Sequence, residues 1–133
     1  MPQSARAVVY TRTGGPDVLQ LVEQQVPEPG PGEVRVRIHR SGVNPTDWKS
    51  RQGGGSGRAL DVPQVPGQDG AGIVDAVGEG VEAAWHGVRV WVWEAAYRRP
   101  HGTAADYALV PARQRGGRRR AAIQRSHPPR LGA

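Results

Sequence analysis

Apolar and polar residues alternate strictly along EVRVRIHR, residues 33–40 of the 133-residue chain. Val34, Val36 and Ile38 point to one side of an extended backbone, and the arginines and histidine between them point to the other. This period predicts a half-buried β-strand. Weaker segments of the same kind, separated by Gly/Pro-rich turns, lie at residues 5–12, 19–26, 71–78, 87–95 and 103–110. Six such strands predict a mainly β fold, either a barrel or a sandwich.

Two segments depart from this alternation. Residues 51–67, RQGGGSGRALDVPQVPG, combine a Gly/Ser run with prolines, and we predict a loop there. Residues 112–133 contain only Ile123 and Leu131 as large apolar side chains, which is too little apolar surface to offset chain entropy. We therefore predict one folded domain over residues 1–111, followed by a disordered, Arg-rich tail.

The net charge of +6 is concentrated in this tail. All 12 acidic side chains lie before it, and residues 1–111 are near-neutral, at about −1. The tail carries seven of the 18 cationic side chains: Arg113, Arg115, Arg118, Arg119, Arg120, Arg125 and Arg130. We therefore expect no nucleic-acid partner beyond non-specific, salt-dependent contact through the tail.

Cysteine is absent from the sequence, which excludes disulfides and thiolate zinc sites. The amino terminus has no apolar run typical of a signal peptide, and no stretch of 18 or more apolar residues could span a membrane. We predict a soluble, cytoplasmic protein without a membrane partner.

The tetrapeptide NPTD, residues 44–47, interrupts the strand pattern and predicts the start of a short helix. Asn44 is a favoured N-cap, Pro45 suits the first helical position, and Asp47 complements the positive end of the helix. The same side chains at a strand-to-helix corner are also typical of ligand clefts. From these residues alone, a purely structural corner and a functional one both remain open.

The order of six segments resembles the medium-chain dehydrogenase/reductase superfamily, and within it the zinc-free quinone oxidoreductases related to zeta-crystallin. The resemblance covers about residues 5–112 and implies a GroES-like, partly open β-barrel with one or two short helices. In the family this barrel is the N-terminal catalytic lobe. The matching segments are GGPDVLQL, VPEPGPGEVRVRI, SGVNPTDWK, PGQDGAGIVDAVGEGV, GVRVWV and GTAADYALVPA.

The resemblance implies that NADPH passes a hydride to a quinone or to an activated alkene. Asn44 and Asp47 would then contact the cofactor and, with Thr46, form the barrel's share of the catalytic group. Thr46 corresponds to a position where zinc-dependent relatives often carry a proton-relay hydroxyl, although a solvated threonine fits that position equally well.

Four aromatic residues could stack on a flat quinone as a substrate-binding surface, with core packing as the alternative. They are Trp48, Trp91, Trp93 and Tyr97.

The resemblance also implies that the chain holds no metal. Zinc-dependent relatives carry a cysteine at the position of Asn44 and a His-Glu pair at the positions of Gln68 and Asp69, and a catalytic zinc requires about three such ligands. The four histidines do not share metal-ligand spacing, and surface or loop positions suit them better.

The family continues after ALVPA into a cofactor-binding Rossmann domain, and from residues 112–133 we expect that domain to be absent. The Gly, Ala, Arg and Pro bias of residues 112–133 is typical of out-of-frame reading, so we expect a truncated lobe that is inactive alone and binds NADPH weakly or not at all. The complete form could be a homo-oligomer. Two alternatives remain: a stand-alone GroES-like module that binds a partner protein, and a fragment of a zinc-free enoyl or alkenal reductase.

Overall fold

A computed structural model describes residues 4–54, 57–112 and 122–126 of the chain. This part is mainly β, with short 3-10 turns at Pro16–Val18 and Ala83–Trp85. No helix in these three ranges is long and apolar enough to cross a membrane. The strands and the helix are β1 Ser4–Arg12, β2 Gln20–Gln25, β3 Glu33–Ser41, α1 Pro45–Gln52, β4 Ala59–Gln64, β5 Gly70–Val77, β6 Arg89–Trp93, β7 Tyr107–Pro111 and β8 Ala122–Arg125.

The strands form two antiparallel sheets. The larger sheet has five strands in the order β7-β3-β5-β6-β8, and the smaller has three in the order β2-β1-β4. The two edge strands of the larger sheet, β7 and β8, also contact each other. The sheet is therefore curled into a half-barrel, which confirms the predicted mainly β, GroES-like fold.

Alternate residues of the larger sheet build the main core. Val34 and Val36 of β3 are fully buried, whereas Arg37 and His39, which follow them, are exposed, as the alternation predicts. Arg35, between the two valines, is half-buried and forms an ion pair with Asp75 at 2.8 Å. The other fully buried valines, no more than 1% exposed, are Val74, Val90, Val92 and Val110. Burial of each such side chain stabilises the fold by about 1.5–3 kcal/mol. The apolar inner face of this sheet is therefore a main source of the stability of the barrel.

The loop predicted for residues 51–67 is wrong in part, because it contains β4. This strand pairs with β1 through Tyr10 opposite Gln64 and Arg12 opposite Ala59. Most of its side chains are exposed, so it lacks the apolar alternation that marks a half-buried strand. The backbone hydrogen bonds of β1 determine its position, and an edge strand of this kind tolerates Pro63.

The disorder predicted for residues 112–133 is corrected at β8, which pairs with the edge of β6. Ile123 is 8% exposed and packs into the main core, and the guanidinium of Arg125 lies 5.2 Å from the centre of the Trp85 ring. The buried Ile123 side chain and pairing with the β6 edge order this segment. The remainder of the predicted tail, residues 113–121 and 127–133, lies outside the described residues.

A charged cluster connects the start of β3 to the loop before β7. Arg99 donates to the Glu33 carboxylate and, at 3.1 Å, to the Leu109 carbonyl, while Gly30 N–H donates to Glu33 at 2.9 Å. Burial raises the pKa of Glu33, but its bonds to Arg99 and Gly30 outweigh burial and hold that pKa below its ordinary value. Burial, assisted by the Arg99 charge, lowers the pKa of the neighbouring His101.

We expect the free energy of unfolding to fall in two stages on acidification. The fold favours neutral His101, so this contribution is complete above about pH 6.5 and is lost as the pH falls through that value towards the lower folded-state pKa. Glu33 stabilises the fold when ionised, and this contribution is lost as the pH falls below about 4.3. Urea unfolding between pH 7.5 and 3 measures both stages.

Two variants separate these contributions. His101→Gln should flatten the upper stage, and Glu33→Gln should flatten the lower one. An unchanged slope between pH 7 and 5.5 in the His101→Gln variant would show that another group causes the upper stage.

Candidate functional site

The corner between β3 and α1 carries the NPTD tetrapeptide. Asn44 has an extended backbone, with φ −129° and ψ 157°, and the helix begins at Pro45. Asp47 reaches back so that its carboxylate accepts a hydrogen bond of 2.7 Å from the Asn44 backbone N–H. Helix α1 ends at Gln52 and is capped by Gly53, whose φ of 57° is the left-handed conformation that glycine adopts without strain. The predicted helix start is thus confirmed.

The Asn44 side chain reaches across to the segment that precedes β5. Its Nδ2 donates to Asp69 Oδ1 at 2.7 Å, which joins two residues 25 positions apart. Gly42 permits this approach, because a Cβ at that position would lie 2.3 Å from the same carboxylate oxygen. The fold therefore brings together Asn44, at the start of α1, and Asp69, directly before β5.

Thr103 holds the Asp69 segment in place from the loop before β7. Its side chain is fully buried, its hydroxyl donates to the Asp69 carbonyl at 2.8 Å, and the Ser41 hydroxyl lies 2.9 Å away. The Thr103 N–H also donates to the Gly67 carbonyl at 3.0 Å. Sequence analysis missed this residue, because its partners lie 34 and 62 positions away.

A small pocket of about 60 Å³ opens beside the first turn of α1. Its lining includes Tyr10, Asp47, Gln64 and Gln68. Asp47 Oδ1 is buried and has no hydrogen-bond partner among the described residues, so this corner presents an unsatisfied acceptor. Pockets for whole ligands measure about 300–1,000 Å³, so this one could hold only a small polar group or one end of a larger molecule.

Tyr10, which lines the pocket, is another residue that sequence analysis missed. Only 4% of it is exposed, and burial raises the pKa of its hydroxyl, an effect opposed by the charge of Arg51 and reinforced by that of Asp47. The phenol therefore stays protonated at neutral pH and can donate a hydrogen bond. The signal that could have identified it is a single tyrosine in an otherwise aliphatic stretch, AVVY.

Thr46 and Trp48 occupy the outer surface of the same helix. Thr46 is exposed in the first turn. Trp48 is 44% exposed, and the Lys49 ammonium lies 5.7 Å from the centre of its ring. Both side chains are accessible next to Asn44, and their proposed roles as relay and substrate contact stay predictions.

The other three predicted aromatic residues lie on β6 and on the loop that follows it. Trp91 and Trp93 share the face of β6 opposite the buried valines, and their ring centres are 4.4 Å apart. Trp91 is 41% exposed and Tyr97 is 48% exposed, so both present accessible ring surface. The Arg98 guanidinium lies 5.4 Å from the centre of the Tyr97 ring.

Within residues 4–54, 57–112 and 122–126, no group of three or more His, Cys, Asp or Glu side chains could hold a metal ion. His39 and His86 are exposed, and His101 is half-buried in a loop. His127 lies outside the described residues. At the corner itself, the Asp69 carboxylate accepts a hydrogen bond from the side-chain amide of Asn44.

Comparison with known proteins gives a consistent assignment. The family model of the alcohol dehydrogenase GroES-like domain matches residues 30–116. Quinone oxidoreductase of Rattus norvegicus is 38% identical over 105 residues, which are 78% of this chain and 30% of that protein. The chloroplastic NADPH-dependent alkenal/one oxidoreductase of Arabidopsis thaliana is 36% identical over 115 residues, 83% of this chain and 30% of that protein.

Solved structures include zinc-containing relatives. A cobalt- and zinc-bound thermostable alcohol dehydrogenase from Pyrobaculum aerophilum superposes with a TM-score of 0.69 and 31% identity, over 82% of this chain and 40% of that one. The chain thus spans about 30% of the length of the curated relatives it matches. Because the family model covers most of the chain, the chain belongs to the alcohol dehydrogenase GroES-like domain family of the medium-chain dehydrogenase/reductase superfamily.

Proposed function

We propose that this chain is the barrel lobe of a zinc-independent, NADPH-dependent quinone oxidoreductase. The observation that carries the proposal is the polar corner at which Asn44 donates to Asp69, next to a pocket lined by Asp47, whose buried Oδ1 has no hydrogen-bond partner among the described residues. A donor group of a ligand that reached this oxygen would satisfy it. The similarity to quinone and alkenal oxidoreductases supports the reaction class.

The residues of this corner fit the nicotinamide end of the cofactor better than its phosphates. A free acceptor such as Asp47 Oδ1 suits a hydrogen-bond donor like a carboxamide. A phosphate at the start of α1 would instead meet the Asp47 charge, which opposes anion binding there. When bound, NADPH would supply the hydride, and Asn44 and Asp47 would orient the reacting end.

The arrangement at Asn44 also supports zinc independence. Asn44 presents an amide, and the Asp69 carboxylate already accepts its hydrogen bond. The third position compared with zinc-dependent relatives, Gln68, uses its side-chain oxygen to accept the Ala96 N–H at 3.2 Å. These residues are engaged with each other and with the backbone, and they lack the cysteine and histidine that zinc favours.

The exposed aromatic rings support a flat substrate. Trp48 is adjacent to the corner along α1, and Tyr97 follows Ala96, which lines the pocket. We propose that these rings, with the Trp91 and Trp93 pair, stack on a flat quinone. An activated alkene would need less ring surface and is the alternative substrate. A cytoplasmic location is part of the same proposal.

A chimera tests the function. Residues 5–112 of this chain would replace the equivalent lobe of the rat quinone oxidoreductase, and NADPH oxidation would be followed with a quinone and, in parallel, with an alkenal. We expect quinone reduction that persists in the presence of a zinc chelator. Asn44→Ala should lower kcat/KM by about 10–100-fold, because it removes a preorganised polar group beside the reacting atoms.

The matched control is Gln24→Ala, on exposed strand β2, which should leave kcat/KM unchanged. A folded, NADPH-binding chimera in which Asn44→Ala has no effect would contradict the proposed role of the corner. Loss of activity on zinc removal would instead contradict zinc independence.

A partner-binding module is the second candidate function. Exposed apolar side chains favour it, in particular Val43, which is 91% exposed and directly precedes Asn44. Leu21 at 70% and Val62 at 58% add apolar surface elsewhere. A chimera that folds but transfers no hydride, with or without zinc, would favour this candidate.

A further inference from the structure

The edge of β6 is occupied by a short segment, β8, which also contacts β7 across the opening of the half-barrel. Ala122–Arg125 pairs with β6 in antiparallel register, with Ile123 opposite Val92 and Arg125 opposite Val90. β8 is four residues long, and Ile123 supplies the buried side chain. Gln124 and Arg125 are exposed.

The contacts of β8 define what the β6 edge recognises. The β6 backbone supplies strand hydrogen bonds to any extended peptide, whatever its side chains. Beside Val92, the main core accepts one aliphatic side chain, which is Ile123 in this chain. Two residues further on, the face of the Trp85 ring lies 5.2 Å from a guanidinium. The edge therefore selects an extended segment with an aliphatic residue, a variable residue and then a cation.

The same contacts make this occupant replaceable. Removing β8 takes one aliphatic side chain out of the main core, while the valines of β3, β5, β6 and β7 stay packed against each other. The pairs β3-β5 and β5-β6 are formed by residues outside β8. A segment held by one buried side chain and one sheet edge can open without unfolding the rest, as local opening in proteins does.

We propose that the β6 edge is a peptide-binding groove for extended segments of the pattern aliphatic-polar-basic, and that residues 122–126 are its exchangeable resident occupant. Binding is strand addition: the incoming backbone pairs with β6 and its aliphatic side chain takes the Ile123 position. The peptide pairs with the β6 backbone and does not contact the Asn44–Asp69 pair, so the proposal does not rest on hydride transfer.

The test uses the full chain and a fluorescent peptide of residues 121–126, AAIQRS, with binding followed by anisotropy. Wild-type chain and the Ile123→Asp variant are compared, since a charged residue at this position disfavours the resident strand. We expect the variant to bind the peptide at least tenfold more tightly, because in the wild type a tethered competitor acts at an effective concentration of about a millimolar.

Two altered peptides serve as matched controls. A peptide with aspartate at the position of Ile123 should not bind. One with glutamine at the position of Arg125 should bind about two- to fivefold more weakly, as loss of an exposed cation–π contact predicts. A folded Ile123→Asp chain that binds neither the native nor the altered peptides would overturn the proposal.

Hydrogen exchange on the wild-type chain provides a second test if the variant does not fold. Excess native peptide should increase the exchange rates of amides in residues 122–126, while those shared by β3 and β5 stay protected. If residues 122–126 keep their protection at saturating peptide concentrations, the strand is a permanent part of the barrel and the proposal is wrong.

Discussion

Replacing Gly72 by alanine is expected to disrupt the larger sheet and to lower the free energy of unfolding by about 3–5 kcal/mol. A Cβ at this position would lie 2.0 Å from the Arg37 carbonyl oxygen and 2.8 Å from its carbonyl carbon. Both are backbone atoms of β3, so relief requires the two central strands to separate. Typical domains have only about 5–15 kcal/mol of stability, and such a loss would leave much of the protein unfolded.

Circular dichroism during urea unfolding measures this effect, and Gly15→Ala is the matched control. Gly15 has φ −75°, and the nearest atom to a Cβ there is the Asp17 carboxylate oxygen at 3.3 Å, on a side chain that can move. The control should stay within about 0.5 kcal/mol of wild type. A Gly72→Ala protein as stable as the control would mean that β3 and β5 can separate at little cost.

Replacing Thr103 by valine should cost about 1–2 kcal/mol and should also alter the candidate site. The change removes the hydroxyl that donates to the Asp69 carbonyl and contacts Ser41, and that carbonyl keeps only the Gly42 N–H, at 2.9 Å, as a donor. Because Asp69 accepts the Asn44 amide, we expect the side-chain NH₂ resonances of Asn44 to shift. Asn44 is the only asparagine in the sequence, which simplifies their assignment.

Thr103→Ser distinguishes positioning from packing, because it keeps the hydroxyl and removes only a methyl group. It should cost about 1 kcal/mol and leave the Asn44 resonances unchanged. Equal shifts in both variants would indicate that the methyl group, and not the hydroxyl, positions the Asp69 segment.

The sequence could predict those elements whose determinants are local. The fully buried Val34 and Val36 follow from the alternation around them, and the helix after Asn44 follows from the Asn-Pro-Thr-Asp order. The same alternation of apolar and polar residues predicts that Trp91 and Trp93 lie on one face of a strand, as they do in β6. Each of these inferences depends on neighbours within a few positions along the chain.

What could not be predicted depends on distant partners. β4 is ordered by the backbone of β1, and β8 by that of β6, and neither segment has the apolar period of a half-buried strand. The Asn44–Asp69 bond spans 25 residues and the Ser41–Thr103 contact spans 62. Polar side chains carry no signal that identifies such a partner, so the candidate site becomes visible only when the strands are paired.

The strand order β7-β3-β5-β6-β8 has a consequence for biosynthesis. A nascent chain can pair β3 with β5 and β5 with β6 while later residues are still inside the ribosome. β8 emerges after β7, so the backbone of β6 stays uncovered on one side throughout that interval. An uncovered strand next to an unfilled apolar core is the arrangement that favours edge-to-edge association between nascent chains. The rate at which β8 emerges therefore sets how long each new molecule is exposed to aggregation.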